Sequence, residues 1–208
     1  MRCIPMRKQQ QEVIFMKKRS GRISTKTLTL CSILTAIVVL LQFLGAFVRF
    51  GPFSISLVLL PIVVGAATCG PMAGLWLGIV FSAMVFATGD AGAFLGIDFW
   101  GTVITVFLKG ALCGYLAGLT YSAFAKKHRT LAVVLSAIVC PVVNTGVFLL
   151  GCKFFFFETI AQWGAAAGFT NAVEYMFLGL AGGNFLFELV LNIILTPIIV
   201  RLLTIKKM

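Results

Sequence analysis

Six apolar stretches, separated by short polar or glycine- and proline-rich connections, dominate the hydrophobic pattern of the chain after residue 27. A transmembrane helix needs about 20 mostly apolar residues, so each stretch predicts one membrane-spanning helix. The predicted helices cover residues 28–47, 55–69, 72–88, 99–124, 130–151 and 175–204. The second stretch is short, and part of the connection before it is therefore expected at membrane depth. The sixth allows a break at Gly182 and Gly183.

The composition supports a lipid-embedded chain. Hydrophobic residues make up 60% of the 208 positions and charged residues only 11%, more apolar surface than a soluble domain of this length can bury. We predict an all-α integral membrane protein, a bundle of six transmembrane helices. A basic N-terminal segment (residues 1–27) precedes the six-helix transmembrane domain (residues 28–204), and a short tail (residues 205–208) follows it.

The basic residues are distributed as membrane orientation signals. Of the 17 Lys and Arg residues, eight lie in residues 1–27, three in 126–129 and three at the C-terminal end, all on one predicted side. Only Arg49 and Lys153 fall on the other side, and Lys109 lies within a helix. This asymmetry predicts that both termini are cytoplasmic. It does not resemble a phosphate-binding stripe, so the net charge of +11 does not indicate nucleic acid.

The N-terminal region resembles a secretory signal peptide only in its basic start. The apolar stretch that follows is longer than a signal-peptide core and lacks a small-residue cleavage site, so we predict a retained helix. Met16 is an alternative start of translation.

Small residues recur at helical spacing in the third and fourth predicted helices. Gly74, Gly78 and Ser82 share one face, as do Gly110, Gly114 and Gly118. Lipid does not drive helices together, so such faces favour close packing between helices.

Ionisable residues at membrane depth are costly and are candidates for function. Lys109 lies about 15 Å along the fourth predicted helix, and Glu188 lies between Asn184 and Asn192 on one face of the sixth. With Asn144 of the fifth helix, they predict a polar ligand pocket in the outer half of the bundle. Its mouth is predicted from Arg49, Phe50, Phe53, Trp100 and Trp163. The alternatives are a structural Lys109–Glu188 ion pair and a helix-capping role for Asn184.

No catalytic or nucleotide-binding motif is present in the sequence. It contains no phosphate-binding G-x-x-x-x-G-K-[ST] loop, no H-E-x-x-H motif and only one histidine, His128. The six cysteines form no C-x-x-C pair, and four of them lie in apolar stretches. We therefore expect no enzymatic activity, no metal site and no cofactor.

Several segments together resemble the substrate-binding S component of energy-coupling-factor (ECF) transporters. They are residues 49–56 (RFGPFSIS), residues 60–65 (LPIVVG), the Gly-Pro-x-Ala-Gly turn at residues 70–74, and residues 184–201 of the last helix. The resemblance covers roughly residues 25–205 and is one of overall pattern.

The resemblance implies six helices with cytoplasmic termini and a vitamin or vitamin-like ligand bound near the outer face. Its site maps onto residues 49–54, including Ser54, and onto Lys109, Asn144, Asn184 and Glu188. It implies docking onto a transmembrane T component, with two ATPase subunits supplying energy in a bacterial cytoplasmic membrane. The family's docking pair, Ala-x-x-x-Ala, is here Ser32-x-x-x-Ala36. Lys109 and Arg49 suit a carboxylate, which favours pantothenate, with folate and riboflavin as alternatives.

Two other functions remain open from the sequence. A stand-alone secondary transporter would use Lys109 and Glu188 as a proton relay, although we find no inverted repeat or paired broken helices. In a membrane scaffold without transport activity, the same two residues would be purely structural.

Overall fold

The computed structural model describes residues 25–47, 49–50, 53–54 and 57–205; of residues 49, 50, 53, 54, 198, 199 and 201–205 it describes only the backbone. Residues 1–24 with Met16, and residues 206–208, lie outside this part. The described chain is helical apart from one two-stranded hairpin. Its elements are α1 (Thr25–Gly45), β1 (Arg49–Phe50), β2 (Phe53–Ser54), α2 (Leu59–Cys69), α3 (Pro71–Ala87), α4 (Gly92–Leu95), α5 (Phe99–Phe124), α6 (Arg129–Phe155), α7 (Phe157–Ala166), α8 (Ala172–Glu174), a π-helical segment (Tyr175–Gly182) and α9 (Gly183–Ile205).

Four helical stretches of the described chain are long and apolar enough to cross a membrane: Thr25–Gly45, Phe99–Phe124, Arg129–Phe155 and Ala172–Pro197. The α2 and α3 helices are shorter, with 11 and 17 residues. Seven consecutive residues of α2, from Pro61 to Ala67, are buried. This helix is therefore enclosed by its neighbours.

Most predicted helices appear near their expected positions. The fourth, residues 99–124, has the same bounds as α5, which begins there because Asp98 Oδ1 accepts a hydrogen bond from Gly101 N at 3.0 Å. The connection predicted after residue 151 was wrong in part. The α6 helix continues to Phe155, and α7 follows almost at once.

The α3 and α5 helices pack against each other through the predicted glycine faces. A Cβ atom at Gly78 would overlap the carbonyl of Gly110, and one at Gly74 would overlap the carbonyl of Gly114. Between these helices Ser82 Oγ donates a hydrogen bond to Val106 O at 2.8 Å. The small residues therefore bring the two backbones into contact, as the sequence predicted.

The last helix passes Gly182 and Gly183 without a break. The π-helical segment ends at Gly182 and α9 begins at Gly183, whose φ of −64° and ψ of −45° are helical. The hydrogen-bonding pattern changes there while the helical path continues. The break that the sequence allowed does not occur here, and a wider helical turn precedes Gly183.

The connections divide the bundle into two ends. One end holds the hairpin, the turn at residues 88–91, α4 and α7, and we call it the hairpin end. The turn at Gly70 and the connection between α5 and α6 lie at the opposite end. Lys126, Lys127 and Arg129 belong to this second, basic end.

Candidate functional site

A cavity lies among the helices toward the hairpin end of the bundle. About 80 Å³ of its interior admits the centre of a water molecule, whereas a single water needs only roughly 10–15 Å³. Several elements contribute to it, from α1 to α9. The lining residues are Gln42, Phe81, Val85, Asp90, Ala91, Phe94, Thr102, Thr105, Val106, Lys109, Asn144, Thr145, Phe148, Phe156, Leu180, Ala181, Asn184, Phe185 and Glu188.

Lys109 supplies the basic group of the described lining. Its ammonium lies 5.7 Å from the ring centroid of Phe81 and 5.3 Å from that of Phe148, distances at which aromatic rings attract a cation. Glu188 lines the same cavity, so the site holds a carboxylate as well as the ammonium. Glu188 itself is 2% exposed. The two predicted ionisable residues therefore share one buried site.

Asp90 and Gln42 form the wall of the cavity nearest the hairpin end. Gln42, near the end of α1, donates a hydrogen bond from Nε2 to Asp90 Oδ2 at 2.6 Å. The Thr88 hydroxyl donates to the same oxygen at 3.2 Å. Asp90 therefore ties the turn after α3 to α1.

Three buried polar oxygens of the lining have no hydrogen-bond partner among the described residues: Gln42 Oε1, Thr105 Oγ1 and Asn144 Oδ1. Their side chains are 1%, 3% and 6% exposed. Buried polar groups of folded proteins are almost always hydrogen-bonded, because an unmet bond costs about 1–3 kcal/mol. The cavity is therefore equipped to accept hydrogen bonds from a polar solute.

Aromatic rings enclose the cavity at the hairpin end. The ring of Phe94 from α4 lies 5.0 Å from that of Phe156 and 5.7 Å from that of Phe148. Trp163 of α7 packs against the other side of Phe94, with 5.8 Å between centroids. The lining thus combines ten apolar residues with nine polar ones, a composition suited to a small molecule that carries several polar groups.

The structure brings four of the predicted site residues to this cavity: Lys109, Asn144, Asn184 and Glu188. Asn184 does not cap a helix, because the helical path continues through the residues before it. The alternative role predicted for Asn184 was therefore wrong. Only the backbone of Arg49, Phe50, Phe53 and Ser54 is described, and it forms the hairpin.

The two predicted tryptophans do not line the cavity. Trp100 is 70% exposed and packs against Phe99. Two residues along a helix correspond to about 200° of rotation, so Trp100 points away from the face of Thr102. Trp163 lies behind Phe94.

Sequence reasoning missed Gln42, Asp90, Thr102 and Thr105. Gln42 carries a usable signal, since an amide within a transmembrane stretch is as informative as a charge. Asp90 lies in the connection between the third and fourth predicted helices, where a carboxylate gives no signal of a buried site. The two threonines gave no signal, because threonines in helices commonly satisfy their hydroxyls on the preceding turn, as Thr102 does with Asp98 O at 2.6 Å.

Comparison with known families gives one match, and it spans most of the chain. The family model for "ECF transporter, substrate-specific component" matches residues 26–200. Searches of curated proteins and of solved structures found no significant match. The matched region contains every described residue of the cavity. The chain therefore belongs to the family of substrate-specific components of ECF transporters, multi-pass membrane proteins that bind vitamin-type substrates for uptake and are not enzymes.

Proposed function

We propose that this chain binds a vitamin or vitamin-like small molecule in the cavity around Lys109 and takes part in its uptake as the S component of an ECF-type ABC transporter. The observation that carries the proposal is that a cation, Lys109, lines the same cavity as the buried oxygens of Gln42, Thr105 and Asn144, for which no described residue supplies a hydrogen-bond partner. Such groups cost free energy unless a solute uses them.

The roles of the lining residues follow from their chemistry. Lys109 is proposed to hold an anionic or strongly electron-rich group of the ligand. Asn144, Asn184 and Glu188 are proposed to orient hydroxyl or N–H groups. Arg49, Phe50, Phe53 and Ser54 are proposed to close the mouth, and Trp163 to support it through Phe94. Trp100 is left out of the proposed site because it is largely exposed.

Pantothenate is the ligand that we propose to test first. Its carboxylate suits Lys109, and its hydroxyl and amide N–H donors suit the acceptor oxygens of the lining. Folate and riboflavin are the next compounds to test.

We propose that the protein crosses a bacterial cytoplasmic membrane six times with both termini inside the cell. The basic end of the bundle then faces the cytoplasm, as expected from the excess of Lys and Arg there. The hairpin end, with the cavity, faces outward. The two shorter helices, α2 and α3, are proposed to complete the six spans within the protein.

A T component and two ATPase subunits are the proposed partners. Ser32 and Ala36 are exposed and one helical turn apart on α1, which leaves a surface with small side chains open to a neighbouring helix. They are proposed as the contact with the T component. The chain has no phosphate-binding loop of its own, which is consistent with separate ATPases.

The experiment is to purify the protein in detergent, denature it, and identify any released small molecule by mass spectrometry. The compound is then titrated into ligand-free protein by calorimetry and its uptake is measured in cells. We expect saturable binding by this chain alone and uptake only when a T component and ATPases are co-expressed. Uptake that needs no ATPase and collapses with a protonophore would instead support a proton-coupled secondary transporter.

A further inference from the structure

Gln42 is an amide buried in the membrane-spanning helix α1. Its side chain is 1% exposed, whereas its neighbour Phe43 is 55% exposed. A buried amide costs free energy unless both its N–H₂ and its carbonyl oxygen are hydrogen-bonded. Each half of this amide therefore requires a hydrogen-bond partner.

The contact with Asp90 fixes which half of the Gln42 amide remains available to another partner. An ionised carboxylate has no hydrogen to donate, so the group 2.6 Å from Asp90 Oδ2 is the amide nitrogen. The carbonyl oxygen then points elsewhere. Gln42 lines the cavity, and its Oε1 is buried with no hydrogen-bond partner among the residues that the structure describes.

We propose that Asp90 is a positioning residue that holds the Gln42 amide so that its carbonyl oxygen accepts a hydrogen bond from a hydroxyl or N–H group of the ligand. This inference rests on the proposed function of the cavity and adds a specificity element to it. A ligand that places a hydroxyl or N–H group toward α1 can donate a hydrogen bond to Gln42 Oε1. A ligand that places a carbonyl or carboxylate there is disfavoured, because the bond to Asp90 keeps the amide from rotating to offer its N–H₂ group.

The first test measures the affinity of the purified protein for pantothenate, folate and riboflavin by calorimetry and continues with the compound that binds tightest. Gln42→Leu and Asp90→Asn are each expected to weaken its binding about tenfold, the scale of one hydrogen bond to a buried group. If Asp90 acts through Gln42, the double variant loses little more than either single variant. A separate electrostatic role of Asp90 predicts losses that add.

A reversal of the hydrogen bond gives the sharpest test. In the double variant Gln42→Glu/Asp90→Asn, the new amide at position 90 can donate to the new carboxylate at position 42. The second carboxylate oxygen then remains available to the cavity, and the pair keeps its total charge. We expect this variant to recover binding to within about threefold of wild type, since the acceptor is restored.

The matched control is Thr88→Val, which removes the other described donor to Asp90 Oδ2 without touching the cavity lining. We expect its binding to change less than about twofold. If wild-type protein binds a vitamin but Gln42→Leu and Asp90→Asn bind it equally well, this inference fails and the proposed function stands. Failure of the reversal to recover binding would also overturn it. If wild type binds none of the three compounds, the proposed ligands fail, and this inference falls with them.

Discussion

The same two helices, α3 and α5, are packed backbone to backbone toward the basic end of the bundle, and both line the cavity toward the hairpin end. At the basic end, glycines bring the backbones together at Gly74 and Gly114 and again at Gly78 and Gly110. Toward the hairpin end, α3 presents Phe81 and Val85, and α5 presents Thr102, Thr105 and Lys109 to the cavity. Small residues thus bring this helix pair into contact, and larger or polar residues on the same two helices line the cavity.

Hydrogen bonding differs between the two regions in the same way. Where helices pack directly on one another, the buried serine hydroxyls bond to backbone: Ser82 Oγ donates to Val106 O and Ser136 Oγ donates to Ala117 O, each at 2.8 Å. In the cavity, Thr105 and Asn144 keep buried oxygens without a partner among the described residues. The first arrangement contributes to stability, and the second is suited to recognition.

The comparison predicts that the largest loss of stability comes from the packed region. Gly78→Ala places a Cβ against the Gly110 backbone and should lower the free energy of unfolding by about 2–4 kcal/mol, because the helices must separate. Thermal unfolding in detergent measures this. The control is Gly146→Ala on α6, where no atom lies within 4 Å of the added Cβ. It should be neutral or slightly stabilising. Equal effects of the two substitutions would refute the packing account.

In the cavity the largest expected effect is on ligand affinity. Lys109→Met and Glu188→Gln should each weaken binding of the identified vitamin about a hundredfold, since each removes a buried charge from the site. Lys109→Arg keeps the charge and should lose less, about tenfold. Calorimetry on the purified variants measures these affinities. Wild-type affinity in both Lys109→Met and Glu188→Gln would remove these residues from the site.

A smaller effect on ligand affinity is expected to distinguish the cavity lining from the exposed surface beside it. Asn144→Leu should weaken binding about tenfold, because a ligand donor loses its acceptor. Trp100→Ala should change affinity less than about twofold, since Trp100 is 70% exposed. A larger loss for Trp100→Ala than for Asn144→Leu would place the ligand at the predicted mouth instead of inside the cavity.

Helix positions and the packed region were predictable because each rests on local chemistry. Runs of apolar residues mark spans, and the four-residue spacing of Gly74, Gly78, Gly110 and Gly114 marks close packing. Lys109 and Glu188 were predictable for a related reason, since a charge in an apolar helix is expensive wherever it lies.

The remainder depends on contacts between distant segments. Gln42 and Asp90 are 48 residues apart, and neither residue type by itself indicates that they meet. Trp100 is absent from the cavity lining, and its sequence position did not show this because an aromatic residue near the end of a span suits either a binding-site mouth or a lipid-facing surface. The π-helical segment before Asn184 was not predictable, because two adjacent glycines permit either a break or a continuous helix.

An experimental structure of the protein with its co-purified vitamin bound tests the central claim most directly. The account predicts the ligand inside the cavity, with one polar group within hydrogen-bond distance of Lys109 Nζ and a donor within such distance of Gln42 Oε1 or Asn144 Oδ1. A ligand bound outside the cavity, with Lys109 buried away from it, would contradict the account.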